Sequence, residues 1–163
     1  MKTALPEDLA AQIDLAAASA TGEPEAATLL AGAGHRCDVL IVDDTGTSRE
    51  LLAAILRNFA GQLTLRQVRN GADALQIWHE SNPRITLLDI DMPDMDGLVV
   101  LKSMRQARPD TFVAMISGTH SIDHVRDALA LGASGFVIKP YKPKRILDLL
   151  DKYGEHSGHS LTS

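Results

Sequence analysis

From residue 37 onward, short apolar runs alternate with stretches in which apolar residues recur every three or four positions. The short runs are typical of buried strands, and the longer spacing is typical of amphipathic helices. Strands are predicted at residues 39–42, 63–68, 85–88, 112–116 and 136–138. Each is followed by a predicted helix, and this strict alternation indicates a parallel sheet with helices on both faces.

Polar and helix-breaking residues mark the ends of the helices. Thr47 with Glu50 three places later predicts a capping box at the start of the first helix. The apolar face of that helix is expected to consist of Leu52, Ile55, Leu56 and Phe59. The last helix is predicted to begin at Pro143 and end at Gly154, which leaves residues 154–163 as a flexible tail.

The composition of the strands predicts their order. The second strand alternates apolar and polar residues, which is typical of an edge strand, whereas the other four are apolar throughout and are expected in the interior. We therefore predict an α/β fold with a doubly wound, flavodoxin-like, five-stranded parallel sheet of order 2-1-3-4-5. In such a sheet the chemistry lies at the carboxyl ends of the strands, where the order reverses between strands 1 and 3.

Residues 1–35 differ from the rest of the chain. They are rich in alanine, lack aromatic residues and end in a glycine-alanine joint at residues 31–34. One helix is predicted from Pro6 to about Ala18 and a shorter one after Pro24. A weakly ordered extension is favoured over a docking or dimerisation helix, because the apolar stripe is thin. The predicted organisation is an extension over residues 1–35, one domain over 36–153, and the tail.

Composition excludes several classes of protein. The 163 residues carry a net charge of −5 and no run of Lys or Arg, which disfavours a nucleic-acid-binding surface. The single cysteine, Cys37, excludes an internal disulfide. No stretch is long and apolar enough for membrane insertion, and Glu7 and Asp8 lie where a signal peptide would be apolar, so a cytoplasmic location is expected.

Polar residues follow four of the predicted strands at the point where each strand ends. They are Asp43 and Asp44 after the first strand, Asp89 after the third, Ser117 after the fourth and Lys139 after the fifth. The carboxyl ends of parallel strands share one edge of the sheet, so these residues are expected to meet. Three carboxylates in one place require a cation, and oxygen ligands on loops suit Mg²⁺.

This set of residues is suited to phosphoryl transfer. Asp89 is expected to be the nucleophile, with Lys139 and Ser117 holding the transferred group beside the metal ion. A carboxylate attacks as it stands, so no general base is needed.

Residues 38 to about 153 resemble a response-regulator receiver domain of the two-component systems, in the layout of a stand-alone chemotaxis regulator. The resemblance is carried by residues 39–44 (VLIVDD), 88–93 (LDIDMP) with 95–97 (MDG), 116–118 (ISG) and 132–140 (GASGFVIKP). It implies that Asp89 accepts a phosphoryl group from a histidine kinase or a histidine phosphotransfer protein. It also assigns Asp43, Asp44, Asp89 and the backbone carbonyl of Asp91 to Mg²⁺.

The resemblance further implies a conformational switch. Ser117 would be the switch hydroxyl and Phe136 the coupled aromatic residue, and the Lys139–Pro140 peptide bond would be cis. Signalling would pass through the face formed by the fourth helix, fifth strand and fifth helix to a downstream protein, with homodimerisation left open.

Residues beside the core of the site are expected to modulate it. Thr45 and Gly46 are small residues directly after the acidic pair, so they are expected to leave that edge of the site accessible. Thr119 lies two places after the switch serine. Asp91 is an acid two places after the phosphoacceptor, so we hypothesise that it helps to set the lifetime of the phosphoryl group. His120 and His124 are one helical turn apart, and two surface histidines are favoured over a metal or pH-sensing role.

Two alternatives belong to other functional classes. The motif around Asp89 also resembles the nucleophile motif of haloacid-dehalogenase-type phosphatases, but those enzymes place their metal-binding acids after the lysine, and here they precede the nucleophile. A phosphorylation-independent interaction module is disfavoured because the acidic and basic residues are complete. The chain is therefore expected to be a phosphoacceptor and not an enzyme.

Overall fold

The computed structural model describes residues 37–60, 62–118, 122–158 and 161. The predicted helices before residue 36, together with Thr119 and His120, lie outside the described residues. The strands are β1 (Val39–Val42), β2 (Leu65–Val68), β3 (Ile85–Asp89), β4 (Phe112–Ser117) and β5 (Gly135–Ile138). The helices are α1 (Gly46–Ala60), α2 (Gly71–Ser81), α3 (Gly97–Ala107), α4 (Ile122–Ala130) and α5 (Pro143–Ser157).

The five strands form one parallel sheet of order β2-β1-β3-β4-β5, as predicted. Every residue of β1, β3 and β4 is buried, whereas the residues of β2 are only partly buried. The prediction that the fifth strand is interior was wrong. Within the described residues, β5 pairs with β4 alone, and its residues alternate between buried and half-buried. Its apolar sequence therefore reflects the helices that cover both faces of the sheet and not a central position.

Helices cover both faces of the sheet and enclose a core on each. Helices α1 and α5 pack on one face, around Leu52, Leu56 and Ile146. Helices α2, α3 and α4 pack on the other, around Trp78 and Leu101. Among the described residues, none of the helices is long and apolar enough to cross a membrane.

Side-chain caps explain where two of the helices begin. Asn70 accepts a hydrogen bond from the backbone N–H of Asp73 at the start of α2, and Asp96 accepts one from the N–H of Leu98 at the start of α3. The capping box predicted at Thr47 was wrong, because α1 already begins at Gly46. Thr47 therefore lies inside the first turn, where it cannot serve as the cap.

The ends of α1 and α5 also differ from the predictions. Phe59 was predicted to face the core but is 54% exposed, because the 15-residue helix α1 is longer than the four-residue strand before it. Helix α5 passes through Gly154 and ends at Ser157; the next residue, Gly158, has the left-handed backbone (φ 77°) that caps the helix. Contacts of Phe112 with Tyr153 and His156 pack this extra turn against the start of β4.

Candidate functional site

An acidic cluster lies at the carboxyl edge of the sheet, next to the point where the strand order reverses. Asp43 and Asp44 follow β1, and Asp89 is the last residue of β3. One carboxylate oxygen from each of the three lies within 4.8 Å of the others. Asp43 and Asp89 are buried, whereas Asp44 is exposed at the rim. The structure thus brings together the three acids that the sequence placed at two different strand ends.

Lys139 reaches this cluster from the end of β5. Its backbone N–H donates to the carbonyl of Ser117 (2.7 Å), and its peptide bond to Pro140 is cis, as the resemblance implied. The ammonium Nζ lies 2.9 Å from Asp43 Oδ2 and 3.5 Å from Asp89 Oδ2. One positive charge is therefore shared by the two buried carboxylates.

Burial and neighbouring charges shift the pKa values of Asp89 and Lys139. The pKa of Asp89 is raised to about 6, chiefly by burial and also by the carboxylates of Asp43 and Asp91, against the opposing effects of the Asp91 N–H and of Lys139. Burial alone would lower the pKa of Lys139, but its hydrogen bond to Asp43 and the two neighbouring carboxylates hold that pKa above the ordinary value. The cluster therefore has more negative charge than one lysine balances.

The donor set suits a hard divalent cation. The carboxylates come from the ends of two strands, and that of Asp44 is exposed to solvent. Mg²⁺ accepts such oxygen ligands while it retains several waters. Burial is the largest cause of the raised pKa of Asp89, and repulsion from Asp43 and Asp91 adds to it; a cation at the site would offset that repulsion. The backbone of Asp91 lies beside the cluster, since its N–H donates to Asp89 Oδ1 (3.1 Å).

Ser117 ends β4 on the side of the sheet that faces α3 and α4. It is fully buried, and its Oγ donates to Asp91 Oδ2 (3.1 Å). Phe136 is half-buried against the same core, on the neighbouring strand, where it pairs in register with Met115. Met115 is two places before Ser117, so the serine and the phenylalanine lie on one face of the sheet.

Three further residues shape the site, and none of them was assigned a role from the sequence. Arg49 Nη1 on α1 donates to the backbone carbonyl of Asp43 (2.7 Å). Gly97 at the start of α3 lies so close to the backbone of Asp89 and Ile90 that a Cβ would overlap both. Burial, with the charges of Asp43 and Asp89, raises the pKa of Tyr141 to about 12. Only the glycine could have been suspected from sequence, as part of the motif at residues 95–97.

Among the predicted modulating residues, Thr45 lies at the site and its backbone N–H donates to Asp43 Oδ1 (2.8 Å). The side chain of Asp91 contacts Ser117, as described above. His124 lies on α4 and is half-buried.

A 2-1-3-4-5 parallel sheet with an acid cluster and a lysine at its carboxyl edge defines the class of receiver domains in signal transduction. The family model described as the response regulator receiver domain matches residues 39–151. The chain belongs to this family and is a response regulator of two-component signalling.

Individual relatives agree with this assignment. The chain is 34% identical to the chemotaxis protein CheY of Bacillus subtilis (strain 168) over 119 residues, which cover 72% of this chain and 96% of that protein. It is 32% identical to the chemotaxis protein CheY of Thermotoga maritima over 114 residues, 70% of this chain and 94% of that one. Among solved structures, the receiver domain of NtrX from Brucella abortus matches with a TM-score of 0.69 and 33% identity, over 74% of this chain and all of that chain.

Proposed function

We propose that this response regulator accepts a phosphoryl group on Asp89 from a histidine kinase or a histidine phosphotransfer protein in a reaction that requires Mg²⁺. The observation that carries the proposal is the convergence of Asp43, Asp44, Asp89 and Lys139 at one sheet edge. A cytoplasmic site of action belongs to the same proposal.

The chemistry follows from the positions of the side chains. A carboxylate oxygen of Asp89 attacks the phosphorus, the bond from phosphorus to the donor imidazole nitrogen breaks, and the imidazole leaves with the electron pair. A magnesium ion held by Asp43, Asp44, Asp89 and the carbonyl of Asp91 would supply positive charge to the transferring oxygens. Lys139 neutralises Asp43 and Asp89 before transfer and is close enough to pair with a phosphoryl oxygen afterwards.

The output is proposed to be contact with another protein. A phosphoryl oxygen on Asp89 offers Ser117 a hydrogen-bond acceptor, and a movement of Ser117 changes the space next to Phe136. Phe136 lies on β5, and this strand contacts α4, whose Ile122 and Leu129 are 67% and 55% exposed. These exposed apolar side chains support α4, β5 and α5 as the face that a downstream protein contacts.

The proposal predicts a covalent adduct on Asp89. Incubation with acetyl phosphate and Mg²⁺ is expected to add the mass of one phosphoryl group, measured by intact-mass spectrometry. Asp89→Asn, which keeps the shape of the side chain but lacks the nucleophile, is the matched control and should gain no mass. A chelator should abolish the adduct in the unsubstituted protein.

The other outcomes identify the alternatives. An unchanged mass would favour a phosphorylation-independent interaction module, and continuous hydrolysis of a generic phosphate ester would favour a phosphatase. The hypothesis that Asp91 helps to set the phosphoryl lifetime predicts a changed dephosphorylation rate in Asp91→Asn.

A further inference from the structure

The hydroxyl of Ser117 is engaged before any phosphoryl group is present. Ser117 is fully buried, and its Oγ donates to Oδ2 of Asp91 at 3.1 Å. A hydrogen bond to an ionised carboxylate is stronger than one between neutral groups. The observed conformation of Ser117 is therefore stabilised by a residue outside the set of metal-binding and phosphoryl-holding side chains.

Hydrogen bonds join Asp91 to both strand ends. Its backbone N–H donates to Asp89 Oδ1 (3.1 Å), and its side chain accepts from Ser117. The residue thus connects the end of β3 to the end of β4. The contact could not be read from the sequence, because the two residues are 26 positions apart.

A serine hydroxyl carries one proton and can donate one hydrogen bond at a time. Under the proposed function, the same proton is required by a phosphoryl oxygen on Asp89. Donation to Asp91 and donation to the phosphoryl group are therefore mutually exclusive, and the switch must break the first bond to form the second.

We infer that Asp91 is a positioning residue that stabilises the unphosphorylated state by competing with the phosphoryl group for the Ser117 hydroxyl. The inference rests on the proposed function and deepens it, because it names the residue that opposes the switch. It differs from a role in phosphoryl lifetime, since it concerns the protein before modification. A phosphoryl group shifts the switch only as far as it interacts more favourably with the switched conformation than with the unphosphorylated one. The Asp91 contact favours the unphosphorylated conformation and so reduces this difference.

Asp91 also carries a charge near Asp89, and the test must separate this charge from the hydrogen bond. The probe is beryllofluoride with Mg²⁺, a tetrahedral anion that substitutes for a phosphoryl group on a carboxylate. Its affinity is measured by calorimetry in the unsubstituted protein, Asp91→Ala, Ser117→Ala and the double variant. Any effect of the charge appears in both serine backgrounds and cancels in the ratio, whereas competition for the hydroxyl exists only when Ser117 is present.

We expect Asp91→Ala to increase the affinity for beryllofluoride in both backgrounds. The increase in affinity caused by Asp91→Ala should be at least about three times as large in the protein with Ser117 as in the protein with Ser117→Ala. A difference of this size corresponds to the loss of one competing hydrogen bond. Asp91→Asn lacks the charge but retains an oxygen that can accept the hydrogen bond from Ser117. This variant should therefore bind beryllofluoride less tightly than Asp91→Ala does. Equal factors in the two backgrounds would overturn the inference.

A second measurement uses the unmodified protein without metal or anion. In nuclear magnetic resonance spectra, the ring signals of Phe136 are expected to move in Asp91→Ala toward their positions in the beryllofluoride-bound protein, and to move less in Asp91→Asn. Unmoved Phe136 signals in Asp91→Ala would contradict the inference. Failure of the proposed function looks different, because the unsubstituted protein would then gain no mass from acetyl phosphate and would bind no beryllofluoride.

Discussion

At the scale of single residues, the site contains ionisable side chains whose burial lowers the stability of the folded protein. Asp43 and Asp89 are buried carboxylates a few ångströms apart, and the single ammonium of Lys139 lies between them. Burial costs free energy for each ionised group unless it is paired. The pKa of Asp89, raised to about 6, shows that this carboxylate is incompletely compensated.

Asp89→Asn should therefore stabilise the metal-free protein. The folded-state pKa of Asp89 lies above its reference value of 3.8, so the folded state binds the proton more tightly than the unfolded state does. Stability is then lost as the pH rises from about 4 to about 6. Since asparagine has no charge to desolvate, we expect a gain of about 2 to 3 kcal/mol at pH 7.5, at about 1.4 kcal/mol per pKa unit, that largely disappears near pH 4.

Urea unfolding in a chelating buffer at the two pH values measures this difference. Asp151→Asn removes an exposed acid from α5 and should change the free energy of unfolding by less than about 0.5 kcal/mol. An Asp89→Asn protein less stable than the unsubstituted one at pH 7.5 would show that Lys139 compensates Asp89 fully.

Cys37 provides a second prediction at this scale. Its thiol is fully buried, its Sγ donates to the carbonyl of Val39, and burial raises its pKa to about 11. The thiolate is the reactive form, so iodoacetamide at pH 8 should leave the folded protein unlabelled. Labelling should become complete in concentrated urea, measured by intact mass, and rapid labelling of the folded protein would contradict the placement of Cys37.

At the scale of elements, the loop between β3 and α3 determines the geometry around Asp89. The N–H of Gly97 donates to the carbonyl of Ile90, and Asp96 caps the helix that follows. Gly71, at the start of α2, donates its N–H to Asp94 in the same loop. The loop is thus connected to both helices beside it, and close backbone approach at Gly97 makes this arrangement possible.

Gly97→Ala should be strongly destabilising. The new Cβ would overlap the carbonyl of Asp89 and the Cα of Ile90, which are backbone atoms that cannot move aside without shifting the phosphoacceptor. Overpacking of this kind costs about 1–3 kcal/mol, and we expect the upper end or more, measured by urea unfolding. Gly46→Ala is the matched control, because its Cβ meets nothing closer than Arg49 Nη2 at 3.6 Å. Equal stabilities for the two variants would refute this account of the loop.

At the scale of the whole molecule, one sheet joins two separate cores. Leu56 belongs to the core between the sheet and helices α1 and α5, and Trp78 to the core on the opposite face. Trp78 is fully buried, and the guanidinium of Arg108 lies 4.4 Å from its ring centre. Trp78 lies near the end of α2, a helix that begins at Gly71 just after β2 and therefore leads away from the carboxyl edge of the sheet. We expect Mg²⁺ to quench its fluorescence only weakly.

The shared sheet should make the two cores unfold together. Leu56→Ala removes a fully buried side chain and is expected to cost about 2–5 kcal/mol. Trp78 fluorescence, which reports on the other face, should follow the same shifted urea transition as far-ultraviolet circular dichroism. A Trp78 transition that stays in place while the circular dichroism transition moves would show that the faces unfold independently.

The sequence by itself determined the strand order and the residues of the acid cluster, because both depend on local patterns. Apolar runs that end in Asp43, Asp44, Asp89, Ser117 and Lys139 identify parallel strands and place their ends at one edge of the sheet, although the run before Lys139 wrongly indicated an interior strand. Errors arose where packing, and not local pattern, decides. Phe59 fits the helical spacing yet extends beyond the sheet, and Gly154 stays helical because aromatic contacts pack the last turn.

Only the tertiary structure decided which groups in the site contact one another. The position of Lys139 between two carboxylates, the overlap at Gly97 and the hydrogen bond from Ser117 to Asp91 all join residues that are distant in the chain or depend on backbone separation. The sequence shows that Asp91 lies two places after the phosphoacceptor, but it does not show that Ser117, at the end of β4, contacts the side chain of Asp91. That neighbour is set by the register of β3 with β4, because the pairing of Asp89 with Ile116 brings Ser117 within reach of the loop.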